Sequence, residues 1–408
     1  MEIIPVIRAL EHRKTGVALI ALQIALSVAI LANSLSVVQQ RQWLMRRPSG
    51  LDEANIFSMT NQFAGPVADL SARIQADLAQ LRAIHGVVDA TAVQSFPLRG
   101  YGASTGVTVR PDEKYSALNA AEYSMPPNGL HTWGLRLISG RNFKAEEVRD
   151  FQIGVDEGPA SAAIVSQALA DRLFAHGNAL GQNIYLGTTA PTRIVGIVER
   201  AQTPWAAQSN GSGPFGAEES VLVPRQWVSP IFAYVVRTAP GRADALLAVA
   251  QQRLFALSRA RIISSAQTFA ETRAEQYRSD RALGLVLTVV CALLLAVTAF
   301  GVVALTTYWV SQRQRQIGMR RALGARRANI VQYFHLENLL IAGVGAVTGV
   351  LLAQAGNLWL ANSLEIARVR VDYLCLGAFI VVALSQAAVV WPALRAASLP
   401  PAAAIRGR

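Results

Sequence analysis

Four apolar stretches punctuate the chain, each long enough, at about 20 residues, to cross roughly 30 Å of hydrocarbon. They cover 15–38 (TGVALIALQIALSVAILANSLSVV), 283–310, 330–360 and 373–393. Between the first and the second lie about 240 residues of ordinary mixed composition, enough to bury a core of their own. The pattern predicts an α-helical membrane protein with four transmembrane helices in a 1 + 3 layout, carrying a large extracytoplasmic α+β domain between helices 1 and 2. More than twenty uncharged residues pass before Arg41. A signal-peptide core is roughly 7 to 15 residues, so the first stretch reads as a retained anchor rather than a cleaved leader.

Inside the intervening region the period changes repeatedly. Leu70, Ile74, Leu78, Leu81 and Ile84 recur at helical spacing, with Ser71 or Asp69 as the cap. GVVDATAVQSFPL, TGVTVR, TRIVGIVE and ESVLVP read as short strands. SAAIVSQALADRLF predicts a helix from about position 160, and Asp244 to Leu257 a second amphipathic one. Strands and helices mixed without regular βαβ repetition give the α+β expectation. The segment 267–282 is polar, lacks Gly and Pro, and runs into the second apolar stretch without a breaker. It predicts one continuous helix standing proud of the membrane.

The chain therefore divides into a cytoplasmic segment 1–14, helix 1 at 15–38, the outer domain 39–266, a stalk helix 267–282 and helix 2 at 283–310. A cytoplasmic loop 311–329, helix 3 at 330–360, an extracytoplasmic loop 361–372, helix 4 at 373–393 and a cytoplasmic tail 394–408 complete it.

Charge sets the orientation. Six arginines fall within 313–327, between the second and third stretches. Each costs about 2.5–3.5 kcal/mol at a bilayer centre, and basic short loops stay on the cytoplasmic side. Arg8, Arg13 and Lys14 before the first stretch, and Arg395, Arg406 and Arg408 after the last, show the same bias. Four spans place all three segments on one side and the large domain on the other. Of the net +12, only +3 (24 basic against 21 acidic residues) belongs to 39–282. The excess thus sits at a membrane surface, where anionic lipid attracts it, and nucleic acid is not an expected partner. Both cysteines, Cys291 and Cys375, fall in predicted spans, so the outer domain has no disulfide.

Catalytic and metal motifs are sparse. The three lysines, Lys14, Lys114 and Lys144, follow no phosphate-cradling glycine loop, so the sequence has no Walker A motif. The five histidines, His12, His85, His131, His176 and His335, lack metal-ligand spacing. GASTG at 102–106 matches G-x-S-x-G, but a nucleophile elbow at Ser104 needs a helix after it. VTVRPDE follows instead, and the expectation is a glycine-rich hairpin turn. Glu337 is the one acid in the third stretch. It is an intramembrane site candidate, expected to snorkel toward, or pair with, Arg326 or Arg327. Gly343, Gly345 and Gly349 (GVGAVTG) contain a G-x-x-x-G spacing for close helix packing, within the chain or between two copies.

The arginine loop carries more than charge. Ile317, Met319, Ala322 and Leu323 alternate with its arginines, and Gly318 and Gly324 permit bends or close approach. An apolar stripe on a cationic helix suggests a docking surface for another protein.

The run Gln316, Ile317, Gly318, Met319, Arg320, Arg321, Ala322, Leu323, Gly324, Ala325 resembles the E-I-G-x-x-R-A-x-G-A pattern of MacB/FtsX-like ABC transporter permeases, with Gln316 in place of the usual glutamate. HTWGLRLISGRNF, AAIVSQALADRLFAHGNALGQNIYL with TRIVGIVE, and PALRAASLPPAAAIR resemble further family blocks in the same order, with Leu394 and Pro400 as departures. The resemblance implies a non-enzymatic permease subunit in a bacterial inner membrane, its termini cytoplasmic and its outer part a MacB-like periplasmic core domain. ATP and Mg would be bound by a separate ATPase subunit, with no cofactor on this chain. Gln316 to Ala325 would form the coupling helix contacting that ATPase. It further implies a second permease copy, as a homodimer or related heterodimer, and ATP-driven motion transmitted through the stalk. Export with a periplasmic adaptor and an outer-membrane channel is the leading implication. A regulatory protein of the FtsX type activating a cell-wall hydrolase, or a lipoprotein-releasing permease, is the alternative. Arginine at Gly318 is expected to break the coupling contact.

Overall fold

A computed structural model describes residues 14–111, 118–152, 158–175, 177–206, 215–364 and 370–398. Outside them lie residues 1–13 of the expected N-terminal segment 1–14 and residues 399–408 of the expected tail 394–408, with His12 among the former, and also Lys114 and His176. The chain divides into two compact units, Met1–Trp43 with Asp280–Arg408, and Leu44–Ser279.

Among the described residues, four helices are long and apolar enough to cross a membrane. In chain order the first is α1 (Lys14–Arg46). The unit that follows begins with β1 (Ile56–Phe63), α2 (Leu70–Arg82), β2 (Val87–Val93), β3 (Ala103–Thr108), β4 (Leu118–Ser124) and α3 (Gly129–Trp133). Next come β5 (Leu137–Gly140), β6 (Arg149–Phe151), β7 (Ala162–Ser166), α4 (Gln167–Leu173), β8 (Asn183–Leu186) and β9 (Pro191–Val198). β10 (Phe215–Val223), β11 (Arg225–Trp227), β12 (Ile231–Thr238), α5 (Ala243–Leu257), β13 (Arg261–Thr268) and α6 (Phe269–Gln276) finish it. The remaining helices are α7 (Arg278–Gln312), α8 (Gln314–Ala322), α9 (Arg327–Leu364) and α10 (Val371–Ser398).

Two larger sheets form the unit Leu44–Ser279. One is antiparallel, in the order β13-β1-β12-β2, with Ile56 opposite Arg237 and Ala233 opposite Val93. Strand alternation sends Phe57 and Met59 to one face, where α2 and α5 cover them with Ile74, Leu78, Leu246 and Leu254. Ile56, Val93, Ala233 and Val235 point the other way, into a core with Tyr123, Trp133, Phe269 and Tyr277. The second sheet is mixed, in the order β5-β9-β7-β10-β4-β3-β8. Its β7–β9 and β4–β10 pairs are parallel.

Local chemistry explains the element ends. Asp69 caps α2, its Oδ1 accepting from the Ala72 N–H at 2.9 Å. The helix expected from about 160 starts at Gln167 instead: Ala162–Ser166 is a fully buried strand, and the Ser166 hydroxyl caps α4 by accepting from the Leu169 N–H. Ser104 lies inside β3, opposite Ala121 of β4, so GASTG is neither a nucleophile elbow nor a hairpin turn.

The expected continuous helix from 267 is interrupted. Gln267 and Thr268 end β13, where Thr268 and Glu271 form a capping box that starts α6. Tyr277 then separates α6 from α7. Its ring is buried in the core around Trp133 and its hydroxyl meets Gln202 Nε2 at 3.2 Å, a tertiary anchor that local helix propensity does not encode. α7 also runs unbroken from the expected stalk into the second apolar stretch, α9 extends to Leu364, and α10 continues through the start of the expected tail to Ser398.

In the unit built from Met1–Trp43 and Asp280–Arg408, α1 touches all three other long helices. Ser27 shares a 2.7 Å hydrogen bond with Thr298 of α7, and Gln23 Nε2 donates to the Val297 carbonyl at 3.0 Å. A Cβ on Gly345 would lie 2.8 Å from the Ala21 carbonyl oxygen, and one on Gly349 2.6 Å from that of Ala25. Gly377 of α10 approaches the Ala32 backbone. Gly345 and Gly349 therefore seat α9 directly on α1 within one chain, while Gly343 has nothing within 4 Å. Arg41 at the far end of α1 pairs with Asp280 of α7 at 2.9 Å.

Candidate functional site

The arginine-rich segment folds into a nine-residue helix, α8, between α7 and α9. Arg313 is the single residue joining α7 to α8. Its N–H bonds back to the Trp309 and Val310 carbonyls, and its own carbonyl accepts from the Ile317 N–H at 2.9 Å. The other end closes with Leu323 as C-cap and Gly324 at φ +94°. Gly324 N–H donates to the Arg321 carbonyl at 3.1 Å and Ala325 N–H to that of Arg320 at 3.0 Å, the paired bonds of a Schellman stop. An L side chain in that left-handed position costs about 1–2 kcal/mol. Gly324→Ala is therefore expected to speed amide exchange at Gly324 and Ala325, whereas Gly343→Ala leaves exchange and membrane level unchanged.

Helical spacing splits the segment into two faces. Ile317 and Gly318 are buried within the chain, Ile317 in the apolar cluster that includes Phe334 and Ala393. Gln316, Met319, Arg320 and Leu323 fall at i, i+3, i+4 and i+7 and are exposed, Met319 at 59% and Leu323 at 84%. Ala322 and Gly324 are also exposed, and Arg321 and Ala325 half-buried. The expected stripe of Ile317, Met319, Ala322 and Leu323 is thus divided, with Ile317 holding the helix down and Met319 and Leu323 facing out. Gly318 faces inward, so arginine there would perturb packing as well as any contact made outward.

Beneath α8 the positive charge is partly neutralised. Arg313 Nη1 lies 3.2 Å from Glu337 Oε2 and donates to the Tyr333 hydroxyl at 3.1 Å. Glu337 is 2% exposed and Arg313 9%. The guanidinium of Arg320 sits 5.4 Å from the Tyr333 ring centre, a cation–π contact from the helix above. The expected partners of Glu337, Arg326 and Arg327, are both exposed. Tyr333 and Glu337 lie at i and i+4 on α9, so both turn toward the start of α8 rather than toward the loop before their own helix. That spacing is visible in the sequence, but the pairing with Arg313 depends on how α8 folds back.

Among the described residues no group of three or more His, Cys, Asp or Glu could hold a metal. His335 Nδ1 is 2.9 Å from Gln386 Oε1 and Asn338 Nδ2 donates to Ser385 at 3.3 Å, polar pairs that tie α9 to α10.

Four long apolar helices among the described residues, a large mixed α/β unit after the first of them and a short cationic helix between the second and third give the architecture of a multi-pass membrane protein. The chain matches the MacB-like periplasmic core domain over residues 17–253 and the FtsX-like permease C-terminal domain over residues 288–401. It belongs to the MacB/FtsX-like family of ABC transporter permeases. The pyoverdine export ATP-binding/permease protein PvdT of Pseudomonas entomophila is 26% identical over 68% of this chain and 42% of its own length. The macrolide export ATP-binding/permease protein MacB of Escherichia coli K12 is 24% identical over 58% of this chain and 36% of its own. The chain thus spans less than half the length of these curated relatives. The crystallised periplasmic region of MacB from Actinobacillus actinomycetemcomitans aligns with 57% of this chain and 97% of its own, at 15% identity and a TM-score of 0.31.

Proposed function

We propose that this chain is the permease subunit of an ABC export system and works by mechanotransmission. ATP hydrolysis on a separate subunit moves α8, and the motion reaches the Leu44–Ser279 unit on the other side of an inner membrane. In this reading the termini and α8 are cytoplasmic, the layout is 1 + 3, and two permease copies act together with an adaptor and an outer-membrane channel. One observation carries it: α8 exposes Gln316, Met319, Arg320 and Leu323 as a continuous face while Ile317 and Arg313 fix its back. A topology signal needs only charge. Large apolar side chains left in water beside arginines have the composition of an interface centre. The core-domain match over 17–253 favours export over a regulatory role of the FtsX type or lipoprotein release, because the relatives named above are export proteins.

The test is Met319→Glu and Leu323→Glu, singly and together. Neither side chain supports the fold, so membrane levels should match wild type. Co-purification of the ATP-hydrolysing subunit should fall, each change costing on the order of 2 kcal/mol, about thirty-fold in affinity. Undiminished co-purification with the double variant would show that α8 is not the docking helix.

A further inference from the structure

The face of α8 that meets the rest of the chain holds an ion pair that docking itself does not require. Arg313 sits at the joint between α7 and α8 and Glu337 lies in the body of α9; both are at least nine-tenths buried. The contact is two-sided: Nη1 reaches the carboxylate at 3.2 Å and the Tyr333 hydroxyl at 3.1 Å. Arg320 rests on the opposite end of the same arrangement, over the Tyr333 ring. The chain already connects α8 to α7 through one residue and to α9 through the turn at Gly324. Those links are the points where the backbone leaves helical geometry, Arg313 at φ −103° and ψ 9° and Gly324 at φ +94°. The ion pair closes the triangle, tying the α7 end of α8 crosswise to α9.

We infer that Arg313 and Glu337 are a positioning pair that makes α8 and α9 move as one lever, so that force applied at the exposed stripe is not absorbed at those two links. This rests on the mechanotransmission reading above, but the clasp itself is testable without it. A buried ion pair is replaceable by apolar residues of similar volume with little loss of stability, whereas removing one partner strands the other charge. Its retention at this joint therefore points to alignment rather than to fold stability. The contact is directional and charge-assisted, and it holds one geometry where methylene packing would allow several.

The decisive variant is Arg313→Met with Glu337→Met, which removes both charges of the pair together. Its thermal midpoint in detergent should stay near that of the wild type. Amide exchange across Gln314–Ala322 in the chain alone should accelerate by about tenfold or more, because local opening of α8 is no longer coupled to α9. The reversed pair, Arg313→Glu with Glu337→Arg, should restore slow exchange. In reconstituted complexes the Met/Met variant should retain the ATPase subunit yet lose the ATP-dependent exchange change in Leu44–Ser279 that the wild type shows. Unchanged exchange in α8 would overturn the clasp. Faster exchange in α8 with an intact ATP response in the outer unit would overturn its role in transmission. A wild type that neither binds an ATPase nor responds to ATP would sink the functional reading instead, with the α8 exchange still deciding the clasp.

Discussion

Replacing Asp77 by alanine is expected to destabilise the Leu44–Ser279 unit by about 3–5 kcal/mol, the usual consequence of stranding a buried charge. Asp77 on α2 and Arg261 on β13 have fully buried side chains and meet through two bonds, at 2.8 and 3.0 Å. The Tyr234 hydroxyl on β12 donates to the same carboxylate at 2.7 Å. Burial first, and then the Asp77 charge, push that hydroxyl well above the ordinary phenol range, so it remains a donor. Helix α2 and strands β12 and β13 thus meet at one carboxylate, and among the described residues the further hydrogen-bond acceptors of Arg261 are Asn61 and the Ser258 carbonyl. The measurement is the denaturant midpoint followed by the fluorescence of Trp133 and Trp227. Asp77→Leu combined with Arg261→Met should recover most of the loss. A change below about 1 kcal/mol for Asp77→Ala would show that water reaches Arg261 and that the charge is not buried in solution.

Leucine at Gly349 should be the most damaging single change in the helical unit. The Cβ alone would sit 2.6 Å from the Ala25 carbonyl oxygen and 2.8 Å from Val28 Cβ, and both neighbours belong to the α1 backbone or its rigid β-branched stem. Neither can yield without moving α1. Overpacking of even a few methylenes costs about 1–3 kcal/mol in a close-packed core. Here it also removes the near approach on which two helices in lipid depend, since lipid offers no hydrophobic gain to compensate. The expected result is loss of the thermally stable, monodisperse chain in mild detergent, with Gly345→Leu close behind and Gly343→Leu at wild-type level. Equal tolerance at 343 and 349 would mean that α9 does not pack on α1 through this face.

The division of labour between sequence and fold can be followed residue by residue. Helical spacing from Leu70 marked α2 and narrowed its cap to Ser71 or Asp69, and the structure chose Asp69. AAIVS escaped the same reading: five small or β-branched residues buried on both faces of a sheet have no alternation to betray a strand. Tyr277 escaped it too, since nothing in a polar, breaker-free stretch announces that one ring will be drawn into a distant core. The four apolar stretches and the arginine cluster were legible from composition alone, because transfer free energy depends on local side-chain content. Which face of α8 points outward was not, as every third or fourth residue there is apolar on one side or the other.

By itself the sequence determined the number and order of the apolar helices, the position of the large folded unit and the place where cationic residues concentrate, all consequences of short-range pattern. Only the tertiary structure decided that Gly345 and Gly349 but not Gly343 meet α1, that Glu337 answers Arg313 rather than Arg326 or Arg327, and that Ile317 and Gly318 turn inward while Met319 and Leu323 stay exposed. Those choices depend on the rotation of one helix about its axis relative to another. Close packing of particular side chains sets that rotation, and no local window of residues contains both partners.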